Sequence, residues 1–446
     1  MYNQTMAKAD QIIYVCSNCG EEYIRWQGKC SNCGEWNTLK EFKTQNSKFP
    51  LGMQIGEQHL PAIEPVEIDK IKITNFQRLS TKIGEFDRVL GGPEKSAGIV
   101  PASVILVGGE PGIGKSTLLL ELASNINNVL YVSGEESLEQ MKIRFDRLLL
   151  KKNNLNLLAD IDLDSIMSAI TKVNPTLVIV DSIQAIYSKD FPSTPGSLVQ
   201  VRECALRLQQ IAKNSSTPVI LIGHVTKEGS VAGPKTLEHL VDVVLYLEGE
   251  RFYNHRILRS TKNRFGTVDE IGIFEMTEKG LEEVANPSKL FLEERTKNIA
   301  GTVVTAAIEG SRAILVEVQA LTSTTSFGYP QRRASGFDLN RLQLIIAVLQ
   351  KRAGLNLSNQ DVFVNIVGGI KINEPAVDLA VAMAIASVIK GKAIDPKICV
   401  FGEVGLSGEI RKVRLESKRI AEAKRLGFSK FNISKSLEGA VRSYCV

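Results

Sequence analysis

The chain has 446 residues, 43% hydrophobic and 23% charged, a composition that excludes global disorder and leaves room for about three domains of roughly 150 residues. Its 54 Lys and Arg against 49 Asp and Glu give a formal charge of +5, which permits a nucleic-acid partner without demanding one. No run reaches the about 20 apolar residues that span a bilayer; the nearest, residues 376–389, carries Asp378, and the opening MYNQTMAKAD lacks the order of a secretory signal, so a cytoplasmic protein with no membrane partner is expected.

Residues 1–40 form a tetracysteine module. Cys16-x2-Cys19 and Cys30-x2-Cys33 are separated by ten residues. Two such knuckles supply four thiolates, the tetrahedral set that Zn²⁺ prefers. A module this small cannot build an adequate apolar core, so metal binding supplies much of its folding energy. Gly20 and Gly34 follow the second cysteine of each knuckle, where a tight turn is expected. Trp26 and Trp36 are expected to pack over the site. A redox pair is the rival reading. Touching DNA, binding a partner protein and capping the fold are all compatible with a zinc module. Cys204, Cys399 and Cys445 are scattered and read as free thiols.

Residues 41–75 are polar and irregular and read as a linker. Residues 76–285 alternate short apolar runs with helical stretches. VILVGG, VLYVSG, LVIVD, PVILIGH and VDVVLYL are continuous apolar runs, as expected of strands buried on both faces of a largely parallel sheet. Gly109-Glu110-Pro111-Gly112-Ile113-Gly114-Lys115-Ser116 matches GxxxxGK[ST] between the first of these strands and a helix at 116–126. Loop amides and the helix N-terminus cradle phosphates in such a motif. Lys115 is expected on the β/γ phosphates of ATP, the Ser116 hydroxyl on Mg²⁺, and Thr117 on the α-phosphate side. Asp181 ends the strand LVIVD, where a water-bridged Mg²⁺ partner sits. Glu135 and Glu136 follow VLYVSG, on the side of a parallel sheet where ligands bind. One of them is expected to activate the attacking water; two solvated glutamates at a helix start are the rival reading. His224 follows its strand in the place of a γ-phosphate sensor. Lys262 and Arg264 flank Asn263 after a strand-like run, and suit either a neighbouring subunit's γ-phosphate or DNA phosphate. Residues 188–202 and 225–235, the latter with Lys227 and Lys235, read as mobile loops.

Residues 286–446 form a separate α+β domain. GTVVTAAIEG and SRAILVEVQALT read as two strands joined at a Gly-Ser turn. A helix at 339–351, a strand at 362–367, a helix at 377–388 and a closing βα segment follow. Arg332, Arg333, Arg341, Lys351, Arg352 and Lys371 suggest a basic face.

The segments Lys262-Asn263-Arg264-Phe265-Gly266, GGEPGIGKST, YVSGEES and GHVTKEG, in this domain order, resemble the bacterial RadA (Sms) family of DNA-repair proteins over nearly the whole chain. The resemblance implies an α/β fold class: a RecA-like P-loop ATPase core with an N-terminal zinc ribbon and a C-terminal α+β Lon-protease-like domain. It implies a DNA-dependent ATPase of helicase type, acting with RecA on single-stranded and branched DNA to drive branch migration. A homo-oligomeric, hexameric ring is implied, with ATP, Mg²⁺ and Zn²⁺ as cofactors and both mobile loops lining its channel. Residues 93–97 lengthen a loop relative to family members. Alignment with Lon places Ala376 at the nucleophile and Ser417 or Lys418 at the lysine, so no peptidase activity is expected. The alternatives are an ATP-dependent protease, a RecA-like regulatory ATPase or autokinase, and a DNA-binding adaptor without translocation.

Overall fold

The computed structural model describes residues 12–16, 22–43, 67, 69, 77–93, 96–150, 153–224, 237–249, 254–431 and 434–444, except 33, 192, 294, 297 and 327. The chain divides into two compact units, one of residues 1–81, 95–110 and 119–244, the other of 82–94, 111–118 and 245–446. In the first unit β1 (Ile12–Cys16) lies between β2 (Glu22–Tyr23) and β3 (Leu39–Lys43), both antiparallel to it. β3 passes the boundary expected at Lys40 because Lys40 to Lys43 pair residue for residue with Val15 back to Ile12. The linker expected after it lies almost wholly outside the described residues.

A short helix, α1 (Gly84–Leu90), belongs to the second unit. The first unit continues with β4 (Val104–Gly109), which leads into α2 (Lys115–Asn125). Then come β5 (Val129–Ser133), α3 (Leu138–Arg147), β6 (Leu155–Ala159), α4 (Leu163–Val173), β7 (Leu177–Asp181), α5 (Leu198–Ser215) and β8 (Val219–Ile222). The five strands run parallel in the order β6-β5-β7-β8-β4. The four apolar runs are buried along their whole length, as strands covered on both faces must be. β6 is the edge strand, half-exposed, and its LNLLA carries too weak a pattern to read as a strand. α3 starts at a capping box: Gln140 N donates to Ser137 Oγ and Ser137 N to Gln140 Oε1.

The loop before α5 is pinned, contrary to the mobility expected of residues 188–202. Gln200 is fully buried; its Oε1 accepts from Ser188 N and its Nε2 donates to the carbonyls of Ser188, Phe191 and Ser193. Arg207 adds an ion pair to Asp190 and stacks over Phe191. Residues 198–202 are the first turn of α5. The loop at 225–235, with Lys227 and Lys235, lies outside the described residues.

β9 (Val243–Glu248) carries the chain into the second unit. There β10 (His255–Asn263), β11 (Ile271–Thr277) and β12 (Gly280–Glu283) form an antiparallel meander. α1 packs on it around Glu85, whose amide donates to Glu283 Oε1. The Glu85 carboxylate accepts from Ile273 N and from Arg312 Nη1. A Cβ on Gly272 would stand 2.6 Å from Glu85 O, so this approach requires glycine. Residues 245–285 group with the C-terminal region in the second unit.

The remainder is α6 (Pro287–Leu292), β13 (Thr302–Glu309), β14 (Arg312–Thr324), β15 (Arg332–Ser335), α7 (Leu339–Arg352), β16 (Gln360–Ile366), α8 (Asp378–Lys390), β17 (Glu403–Val404), β18 (Ile410–Arg411), α9 (Glu416–Arg425) and α10 (Leu437–Tyr444). The sheet order is β13-β14-β16-β15, with β15 and β16 parallel. The β13–β14 turn falls at Gly310, whose φ is 65°. α8 is a core helix, apolar on nearly every side. Asp378 at its start is buried and paired with Arg341; burial pushes the carboxyl up against the pull of that guanidinium. Among the described residues no helix is long and apolar enough to cross a membrane. The expected basic face is thinner than six cations, because Arg341 is committed to Asp378 and Arg332 to the carbonyls of Gln331, Leu357 and Gln360.

Cys204 and Cys399 are buried, and burial pushes both thiols up to about 12. The thiolate is the reactive form. Iodoacetamide at pH 8 is therefore expected to leave both unmodified in the native protein and to label both in urea, as read by peptide mass spectrometry. Rapid native labelling of either would contradict the packing around it.

Candidate active site

The glycine loop leaves the C-terminal end of β4 and opens α2. Gly109, Gly112 and Gly114 have φ of 153°, 77° and 114°, so the loop curls in a way L side chains resist. A Cβ on Gly114 would meet Met276 at 2.8 Å and Leu281 at 3.1 Å, whereas Gly112 faces open space. Leu118 N donates to Gly114 O at 2.9 Å, so the helix starts within the motif. The first amides of a helix lack intrahelical acceptors, and such an N-terminus favours an anion. Lys115 is buried; Ser116 and Thr117 are half-buried; Glu110 is half-buried, Pro111 exposed and Ile113 buried. Arg256 Nε donates to Ile113 O at 3.1 Å and braces the loop from behind. Sequence reasoning missed Arg256, because its partner lies 143 residues away; its only signal is a cation at a buried strand position.

The carboxylates gather where β5, β7 and β8 end. Ser133 pairs with Asp181 across the parallel ladder, and Gly134 N donates to Asp181 O at 2.7 Å. Tyr131 OH donates to Asp181 Oδ2 at 2.8 Å; burial, then the Asp181 charge, holds the phenol well above its usual range. The two glutamates part company. Glu136 is ion-paired with Arg144 of α3, and its backbone closes on Ser133 Oγ. Glu135 accepts from Ser182 Oγ, and His224 Nε2 stands 3.3 Å from its Oε1 without hydrogen-bond alignment. His224 is in turn fixed through its carbonyl by Gln184 Nε2. The sequence left the two glutamates equivalent; the structure gives them different neighbours. Carboxylate and hydroxyl oxygens are the hard donors Mg²⁺ takes, and Ser116 and Asp181 fit that donor class.

Lys262 and Arg264 lie around the end of β10, which runs through Lys262 to Asn263. Asn263 anchors this segment: its Nδ2 donates to Leu90 O at 3.1 Å and its Oδ1 accepts from Phe265 N at 2.9 Å. Gly266 allows the close approach, since a Cβ there would lie 3.2 Å from Leu90 O. The cations thus emerge on either side of a segment clamped to the end of α1.

In the ribbon Cys16 and Cys30 are fully buried and share a small cluster with Leu39. Cys16 Sγ donates to Thr38 Oγ1 at 3.2 Å, and Tyr23 OH lies 3.3 Å from Cys30 Sγ. Two buried cysteines in one cluster supply the thiolate donors that Zn²⁺ takes; Cys19 and Cys33 lie outside the described residues. Gly34 makes the expected turn, with φ of 77°. The tryptophans do not pack over the site: Trp26 is 57% and Trp36 66% exposed. Tyr14 and Tyr23 take that place.

A glycine loop after a buried parallel strand, acids at the ends of two further strands of that sheet, β5 and β7, and a cysteine ribbon ahead define a RecA-like P-loop ATPase with an N-terminal zinc ribbon. Comparison with known families agrees: a rubredoxin metal-binding domain model matches residues 14–41, an AAA domain model 94–230, and a model of subunit ChlI of Mg-chelatase 338–436. DNA repair protein RadA of Bacillus subtilis is 49% identical over 433 residues, 96% of this chain and 93% of that one. RadA of Listeria monocytogenes is 47% identical over 440 residues, 97% and 94% of the two chains. A crystal structure of the RadB recombinase, 25% identical, covers 46% of this chain and 99% of that one with a TM-score of 0.37. The chain belongs to the DNA repair protein RadA family.

Proposed function

We propose that this chain is a DNA-dependent ATPase of helicase type that drives branch migration of recombination intermediates, working beside RecA as a hexameric ring. The observation that carries the reading is the cluster at the strand ends. Glu135, the candidate base, is held by Ser182 and faces His224, and His224 immediately precedes the segment at 225–235. A change at the γ-phosphate side is thereby passed to the chain expected to hold DNA.

ATP is the substrate. The glycine loop and Lys115 hold its phosphates; Glu135 orients and deprotonates the attacking water; Glu136 positions α3 through Arg144. Ser116 and Asp181 would hold Mg²⁺, which when bound neutralises phosphate charge. Lys262 and Arg264, set by the Asn263 clamp, act on a neighbouring subunit's site. The C-terminal domain serves as a platform without peptidase activity, because Ala376 offers no nucleophilic atom.

ATP hydrolysis with and without single-stranded DNA tests the reading. The wild type is expected to be stimulated strongly. Lys262→Ala and Arg264→Ala are each expected to lower DNA-stimulated turnover by about a thousand-fold or more, the range for a group that stabilises the transition-state charge of a neighbouring site. A wild type that binds DNA yet hydrolyses ATP at an unchanged rate would point to a regulatory ATPase or an adaptor.

A further inference from the structure

Two indoles of the zinc ribbon are largely exposed to solvent. Trp26 is 57%, Trp36 66% and Ile24 87% exposed. Tryptophan is on average a heavily buried residue. Among the described residues of this module both tryptophans are exposed, and the buried cluster is Cys16, Cys30 and Leu39 with two tyrosines beside them. The rings converge on bare backbone: a Cβ on Gly28 would lie 3.7 Å from Trp36 and 3.8 Å from Trp26. The Gly28 strip is itself fixed, because Asn37 N donates to Gly28 O at 2.8 Å and Lys29 bridges to Trp36 in an antiparallel pair. Two cations accompany the rings. The Lys29 ammonium sits 5.7 Å from the Trp36 ring centre, and Arg25 is exposed next to Trp26.

Exposed aromatic faces on a rigid strip with cations alongside are what unpaired bases need. Bases stack on the rings, in any sequence, while the cations meet the phosphates. Duplex DNA keeps its bases stacked on each other and offers no such face. We propose that Trp26 and Trp36 form a stacking platform for single-stranded DNA, with Arg25 and Lys29 on the phosphates. This platform is additional to any contact made by the motor, and it rests on the functional reading above.

The chain contains two tryptophans and nine tyrosines, so emission excited at the red edge, where tyrosine does not absorb, reports this surface alone. Titration of the full-length protein with unlabelled oligo(dT), without nucleotide, is expected to quench that emission. A labelled oligo(dT) read by anisotropy gives affinity in parallel. Joint replacement Trp26→Ala and Trp36→Ala is expected to weaken binding by about ten-fold or more. Joint replacement by Phe keeps a stacking face and is expected to hold affinity within about three-fold, which separates stacking from damage to the ribbon. DNA bound with tryptophan emission unchanged, or with Ala and Phe variants indistinguishable from wild type, overturns the platform and leaves the motor reading intact. No binding of oligo(dT) at all overturns the motor reading first. Quenching by a protein partner and not by oligo(dT) assigns the surface to that partner and overturns the platform.

Discussion

Glu135→Gln is expected to lower ATP turnover by about a hundred- to ten-thousand-fold, the range that a positioned general base supplies. Glu136→Gln is expected to change it by only a few-fold. The two glutamates adjoin in sequence, and the difference follows from their partners. Glu136 is neutralised by Arg144, and that half-exposed pair serves to fix α3. Such pairs contribute about 1 kcal/mol or less. Glu135 instead faces Ser182 and His224 at the end of three parallel strands. The amide introduced by Glu135→Gln keeps an oxygen for the Ser182 hydroxyl, so the site stays assembled and nucleotide still binds; only the proton acceptor is gone. Single-turnover hydrolysis with labelled ATP, beside a nucleotide-binding titration, reads both quantities. If Glu136→Gln is the dead enzyme and Glu135→Gln the active one, the assignment made from these partners is wrong.

Where the physics is local, the sequence was sufficient. The apolar runs at β4, β5, β7 and β8 announce strands buried on both faces, and the structure buries every residue of them. The Gly310-Ser311 turn and the helices near 339 and 378 fall within a few residues of expectation. The glycine loop between β4 and α2 was legible because its glycines and lysine are neighbours in the chain. What escaped is set by distant partners. Arg256 braces Ile113, and Arg419 reaches Glu374, across 143 and 45 residues. Gln200 turned an apparently mobile loop into a pinned one through carbonyls at 188, 191 and 193. The tryptophans were misplaced for a different reason. Large aromatics usually seek a core, and only the folded ribbon shows that two tyrosines pack against the described buried cluster instead.

Glu374→Ala is expected to destabilise the C-terminal region by about 3–5 kcal/mol, the cost of stranding a buried charge. Arg419 is fully buried. Its Nη1 donates to Glu374 Oε2 at 3.0 Å and to Ala306 O, its Nη2 to Glu374 Oε1, and its Nε to Arg414 O. Glu374 also accepts from Ile308 N at 2.7 Å. One pair thus ties β13, the turn entering α8, and α9. Aligning this region with Lon suggested Ser417 or Lys418 opposite Ala376, but Lys418 Nζ donates outward to Ser311 O, and Arg419 is the cation that turns inward. Guanidinium stays charged under all ordinary conditions, so it cannot serve as the base that a serine at position 376 would require. The expected destabilisation is read from the urea midpoint of the far-ultraviolet circular dichroism signal. Joint replacement of Glu374 and Arg419 by Leu and Met is expected to recover most of the loss, because apolar side chains of similar size leave no charge to satisfy. If the double variant is as unstable as Glu374→Ala, the pair's hydrogen bonds to Ala306, Ile308 and Arg414 carry the structure, and the charge interaction does not.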